Sequence, residues 1–174
     1  MAKSTQALLL IDLQNDYFPG GAFPLWNAEK TLANTLAAIE RAKAKGVPVV
    51  LVQHIADPQR LAPFFNKGTP GADIRAEVLA AAPDAPIVVK SHADSFFATT
   101  LERTLADLGA SELLIGGMMT QNCVTHTAIS KSAEKYKVTI LPDCSTTVSE
   151  ILHLIALNAV STRLALTPST EALG

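Results

Sequence analysis

Three side chains far apart in the sequence could work together on a polar bond: the thiol of Cys123, the carboxylate of Asp12 and the ammonium of Lys90. Cys123 lies in the segment GGMMTQNCVTHTA, just beyond a glycine pair, where a helix is expected to begin. The first turn of a helix offers unpaired N–H groups and the positive end of the macrodipole, and both favour a thiolate over a thiol. The same cysteine could instead pack as a small apolar residue against a sheet, as buried free cysteines commonly do. Asp12 closes the apolar run ALLLI, and a carboxylate there is costly unless a partner meets it. Its ordinary alternative is a hydrogen bond to the backbone of the following loop. Lys90 ends the run IVVK, where one cation could hold both a carboxylate and a thiolate or could simply reach solvent.

The elements that must position these groups follow from periodicity. Short β-branched or leucine-rich runs alternate with helical patterns, which predicts βαβ units wound into a mostly parallel sheet. Strands are expected at Ala7 to Leu13, Val47 to Gln53, Ile87 to Lys90, Glu112 to Ile115 and Val138 to Leu141, with a short edge strand at Leu164 to Leu166. The first helix starts near Asn27, which can cap it, sets Leu32, Leu36 and Ile39 on one face and stops at Gly46. Further helices are expected from Ser95 to Leu108, from Thr120 as cap to about Tyr136, and from Glu150 to Asn158. The last of these can face the core on one side and a neighbouring subunit on the other. His54 to about Gly71 reads as a long surface loop, with a brief helix after Asp73. The expected fold is α/β: a three-layer α/β/α sandwich, Rossmann-like, around five or six mostly parallel strands whose order stays open. Such sheets bind ligands beyond the carboxyl ends of their strands, and Asp12, Lys90 and Cys123 all fall there.

Composition narrows the function classes. A length of 174 residues fits a single domain over 1–174. Hydrophobic residues at 48% against charged residues at 17% argue against disorder and predict a homo-oligomer, dimer or larger, that covers apolar surface. The 16 acidic and 14 basic residues form no cationic stripe, which argues against nucleic acid as a partner. No run reaches the length of a membrane-spanning helix, and Ala7 to Ile11 is too short for the core of an export signal. A cytoplasmic chain with reduced Cys123 and Cys144 is therefore expected, without a disulfide framework or a structural zinc site.

The stretches LLLIDLQNDYFPGGAF, VVKSHADSFFATTLERTL and LLIGGMMTQNCVTHTA, in that order, resemble the isochorismatase-like cysteine hydrolases, a superfamily that includes nicotinamidases, N-carbamoylsarcosine amidohydrolases and ureidoacrylate amidohydrolases. The resemblance implies a triad of Asp12, Lys90 and Cys123, a cis peptide joining Met118 to Met119, and an oxyanion hole from the N–H groups of Met119 and Cys123. It implies hydrolysis of a small amide, carbamoyl or related C–N bond through a thioester on Cys123, with Asp12 moving the proton, Lys90 stabilising charge and no organic cofactor. Two alternatives stay open: isochorismatase-type vinyl-ether hydrolysis, and a non-catalytic member that senses oxidants through Cys123 or binds a partner. Tyr17 matches an aromatic position that lines the pocket in relatives, and Phe96, Asn122 and His54 are further candidates for the substrate pocket. Nicotinamidases hold a metal with an Asp-x-His triplet and a second histidine; LVQHIADPQR carries His54 but neither feature, so no metal is expected. His126 is one helical turn past Cys123 and reads as a packing or interface residue. His92 and His153 have no motif support, and Cys144 reads as a packed thiol in the loop after the fifth strand.

Overall fold

The computed structural model describes residues 6–59 and 62–174. Its strands are β1 (Gln6–Ile11), β2 (Val49–His54), β3 (Ile87–Lys90), β4 (Glu112–Met118), β5 (Lys137–Thr146) and β6 (Ala165–Leu166). All six pair in parallel, in the order β3-β2-β1-β4-β5-β6. The helices are α1 (Ala28–Ala44), α2 (Ala76–Ala81), α3 (Leu101–Asp107), α4 (Thr125–Ala128), α5 (Glu150–Val160) and α6 (Ser169–Ala172).

The apolar run at the start of the chain is unbroken because β1 is covered on both faces. Leu8 and Leu10 join a core cluster with Ala38 and Ile39 of α1 and Val78 of α2. Ala7, Leu9 and Ile11 point into a second cluster with Leu101 and Leu105 of α3 and Leu157 and Val160 of α5. A strand sandwiched in this way buries every side chain, so the period of two is invisible in the sequence. The strand order reverses between β1 and β4, where the chain leaves the two strands in opposite directions and opens a crevice at their carboxyl ends. Asp12 follows β1 and the segment holding Cys123 follows β4, so both fall at that switch point.

Several boundaries differ from expectation. β1 stops at Ile11 because Asp12 takes a left-handed backbone, φ 55°. Asn27 occupies the position before α1 but does not cap it with its side chain; it enters the helix left-handed, φ 56°, a conformation that asparagine tolerates. The helix expected from Ser95 starts only at Leu101, because the preceding polar groups tie loops together. The Phe96 N–H donates to Asp94 Oδ1 at 2.8 Å, the Ser95 N–H donates to Thr127 Oγ1 at 2.9 Å, and Ala98 is left-handed. The helix expected from Thr120 to Tyr136 is three pieces: a wide π turn, Thr120–Val124, then α4, then a 3-10 turn, Lys131–Lys135. The break falls at Ser130, whose extended backbone (ψ 146°) lets its hydroxyl accept from the Ser132 N–H.

β4 and β5 run further than read, and Cys144 lies inside β5 rather than after it. Gly116 and Gly117 are strand residues of β4, with a register shift against β5 between Ile115 and Gly117. Gly117 has φ +129° and lies so close to β1 that an added Cβ would run into the backbone of Ile11. Glycine thus lets β1 and β4 approach where the crevice opens. Gly117→Ala should lose about 3 kcal/mol or more of stability, read from urea denaturation, since both the conformation and the space are wrong for a side chain.

On α5, His153, Ala156, Leu157 and Val160 are buried, while Ile151, Leu154 and Ile155 are 72%, 57% and 59% exposed, leaving an outer apolar face. No helix among the described residues is long and apolar enough to cross a membrane.

Candidate active site

The ends of three strands bring Asp12, Lys90 and Cys123 into one cluster. Lys90 Nζ donates to Asp12 Oδ2 at 2.8 Å and to Cys123 Sγ at 3.2 Å. It also lies 2.9 Å from His54 Nδ1 and 3.1 Å from the His92 carbonyl oxygen, to which it donates. Asp12 is wholly buried, and Lys90 and Cys123 are each 2% exposed, so the charges face one another rather than water. Asp12 Oδ1 is buried with no hydrogen-bond partner among the described residues. One oxygen of the carboxylate is thus committed to Lys90 and the other is free to take a proton.

The electrostatics differ from expectation at the sulfur. Burial, and then the charge of Asp12, hold the Cys123 thiol well above its ordinary pKa, and Lys90 offsets only part of this. The expected lowering by a helix N-terminus does not apply, because the turn at Thr120–Val124 is a π turn followed by a helix of only one turn. Burial thus favours the neutral thiol, and the Lys90 ammonium beside it works in the other direction. For Lys90, burial opposes the charge, but Asp12 and then Cys123 outweigh it and raise the pKa, so the ammonium persists.

The predicted pocket residues separate. His54 ends β2, and its backbone is clamped by Gln14: the His54 N–H donates to Gln14 Oε1 at 2.7 Å, and Gln14 Nε2 donates to the His54 carbonyl at 2.8 Å. Tyr17 is buried in an aromatic cluster, its ring 4.5 Å from that of Phe65 and 5.4 Å from that of Phe64. Burial raises its pKa, with further increments from the charges of Asp12, Cys123 and Asp16. Asn122 is half-buried beside Cys123, and its side chain has no hydrogen bond among the described residues. Phe96 is buried and stacked on Tyr136 at 6.0 Å, in the apolar cluster that also holds Cys123. His126 is exposed, its Nδ1 2.9 Å from the Asn122 carbonyl, rather than packed in the core.

Sequence reasoning missed several positioning residues. Gln14 is fully buried and joins the ends of β1 and β2 to the Ala72 carbonyl. Asp16 accepts from the Phe65 N–H at 2.7 Å and from the Ala22 N–H at 3.1 Å, fastening two loops beside Tyr17. The signal available was their polarity, since Gln14 and Asp16 are two of the four polar residues, with Asp12 and Asn15, that lie among apolar ones from Leu8 to Phe18. His153 Nδ1 lies 2.8 Å from Thr120 Oγ1 and so anchors, from α5, the first residue of the turn that carries Cys123. The Met118–Met119 peptide is cis.

Asp12, His54 and Cys123 offer ligand-type atoms within 4.8 Å of one another, the kind of grouping that holds a metal. Lys90 Nζ, however, is within hydrogen-bond distance of an atom of each, so an ammonium already holds the position of the cation. The cluster as built does not fit a metal ion.

Burial and the charge of Lys90 lower the His54 pKa from 6.5 to about 4, so the ring is neutral in the folded chain above that value. In the window from about 6.5 down to 4 the unfolded chain therefore binds the extra proton, and this contribution to stability, complete above the window, is lost as pH falls through it. Urea denaturation at pH 7 and pH 5 should show a smaller loss of stability in His54→Gln than in the parent chain.

Residues 6–172 match the isochorismatase domain family, and the chain belongs to that family. An uncharacterized isochorismatase family protein of Bacillus subtilis is 37% identical over 84% of this chain and 81% of its own length. A probable inactive nicotinamidase of Arabidopsis thaliana is 28% identical over 84% of this chain and 83% of its own. A maleamate amidohydrolase of Pseudomonas putida is 29% identical over 79% and 70%. The crystal structure of an isochorismatase-like hydrolase from Alkaliphilus metalliredigens superposes with a TM-score of 0.86 at 25% identity, covering 98% of each chain.

Proposed function

We propose that this chain, over 1–174 as one domain, is a cysteine hydrolase of small amide or carbamoyl C–N bonds that works through a thioester on Cys123. One observation carries the proposal: a buried thiol, a carboxylate with one free oxygen and an ammonium share a cluster whose strongest bond is 2.8 Å long. Asp12 takes the thiol proton as the sulfur attacks the carbonyl carbon. The N–H groups of Met119 and Cys123 receive the oxyanion, and the loss of one such donor typically costs about 3 kcal/mol of transition-state stabilisation. Collapse of the tetrahedral intermediate breaks the C–N bond, and the proton held by Asp12 leaves with the amine. Asp12 then deprotonates a water that attacks the thioester, releasing the acid and restoring the thiol. Lys90 stays charged throughout and keeps the carboxylate oriented.

The burial that pushes the thiol pKa up supports this order of events, because a thiol made harder to ionise gains from a base aligned with it. The maleamate amidohydrolase relative supports the amide reading, whereas the probable inactive nicotinamidase keeps a non-catalytic, thiol-sensing role in view. A screen of small amides, ureido acids and carbamoyl compounds for ammonia release tests the two. Turnover of any of them supports the hydrolase; silence across the set, with Cys123 consumed stoichiometrically by peroxide, supports the sensor. On the same reading the exposed face of α5 meets a second copy of the chain, and the two free, buried cysteines suit a reducing cytoplasm.

A further inference from the structure

Lys90 Nζ has four neighbours able to accept: Asp12 Oδ2 at 2.8 Å, His54 Nδ1 at 2.9 Å, the His92 carbonyl at 3.1 Å and Cys123 Sγ at 3.2 Å. An ammonium has three N–H groups and no lone pair, so a neutral ring nitrogen at 2.9 Å must be the acceptor. A proton on Nδ1 would set N–H against N–H. His54 therefore carries its one ring proton on Nε2. The thiol sulfur, the weakest acceptor of the four and the furthest away, takes at most a shared bond.

The ring is held from three directions. Gln14 clamps its backbone N–H and carbonyl, Lys90 fixes Nδ1, and the Phe65 ring lies 5.8 Å away at 38°. Nε2 has no hydrogen-bond partner among the described residues. The side chain of His54 is 21% exposed while those of Asp12 and Lys90 are wholly buried, so this imidazole is where the charged cluster reaches solvent. A ligand atom of His54 lies within 4.8 Å of Cys123 Sγ, so an amide held at the sulfur lies beside the ring.

We infer that His54 is the substrate-recognition donor of this site, presenting its Nε2–H to a small amide that bears a second hydrogen-bond acceptor, a carboxylate, carbonyl or pyridine-type nitrogen, a few bonds from the scissile carbonyl. The inference deepens the hydrolase proposal and rests on it for the identity of the ligand, but the tautomer is a property of the free protein. The low pKa of His54 keeps the donor uncharged, so selection works through hydrogen bonding. A site built around a buried donor rejects analogues that leave it unpaired.

The test has two arms. Long-range nitrogen–proton correlation spectra of labelled protein should show His54 with Nε2 protonated and Nδ1 bare at pH 7. The Cys123→Ala protein is then titrated with two matched pairs, nicotinamide against benzamide and succinamate against butanamide. The acceptor-bearing member of at least one pair should bind tenfold or more tighter and shift the His54 Nε2 signal. Adding His54→Leu should erase that preference, and His54→Gln, whose amide can accept from Lys90 and donate outward, should restore part of it. An Nδ1–H tautomer, equal affinity within both pairs, no binding by any of the four, or a preference that survives His54→Leu overturns the assignment. None of these results alters the prediction for Cys123 turnover, so the hydrolase proposal stands or falls separately.

Discussion

Cys123→Ala should abolish turnover, by about 10⁴-fold or more, and leave the fold in place. The size follows from the proposed role: without the sulfur there is no thioester, and the remaining oxyanion donors and Asp12 cannot supply a nucleophile of their own. The structural cost is small, since Cys123 is a small buried side chain and alanine removes one atom from the cluster below β4. Thermal and urea midpoints should move by no more than an ordinary single substitution, about 1 kcal/mol. Cys144→Ala is the internal control. That thiol is also buried, with its pKa pushed up to about 12 by burial and the charge of Asp143, yet it sits in β5 away from Asp12 and Lys90. Its loss should leave ammonia release within about threefold of the parent. Equal loss in both variants would point to packing rather than chemistry.

The Asp12–Lys90 pair should show the second large effect, and on two observables that part company. Both side chains have no solvent exposure and meet at 2.8 Å. Lys90→Met leaves a carboxylate in the core without its partner, and breaking such a pair costs about 3–5 kcal/mol. Asp12→Asn leaves the ammonium stranded with similar effect. The double variant Asp12→Asn, Lys90→Met carries no buried charge, and replacing an ion pair by uncharged groups is often close to neutral for folding. Urea denaturation should therefore show both single variants strongly destabilised and the double variant recovering much of the loss. Activity should not recover, because asparagine cannot take the thiol proton. A double variant as unstable as either single one would mean that the pair matters for its shape rather than its charge.

Much of this arrangement was legible in the sequence because its signals are local. The six strands stand out as short apolar runs, and Asp12 and Lys90 were placed at strand ends by the run that precedes each. Cys123 was legible through the glycine pair, of which Gly117 serves the close approach of β1 and β4, while burial, which the sequence did not reveal, pushes the thiol pKa up. What the sequence concealed depends on partners distant in the chain. The segment from Ser95 scans as helix, but Ser95 spends its N–H on Thr127, 32 residues away. The helix beyond Cys123 scans as continuous, but Ser130 turns the chain and donates its hydroxyl to Asp94 at 2.7 Å. Phe96, read as a candidate pocket wall, is buried in the same apolar cluster as Cys123 and stacks on Tyr136, a partner 40 residues away in the chain. Gln14 and Asp16 escaped notice because polar residues after a strand resemble any loop until their acceptors and donors are located.

The central claim is covalent, so the most direct measurement looks for the bond. Protein mixed with an amide that releases ammonia is quenched in acid within milliseconds to seconds and its mass is measured intact and as peptides. A transient adduct equal to the acyl part of the substrate should appear on the peptide carrying Cys123, decay as acid forms, and be absent from Cys123→Ala. Steady release of ammonia with Cys123 unmodified at every time point, and with Cys123→Ala still active, would contradict it.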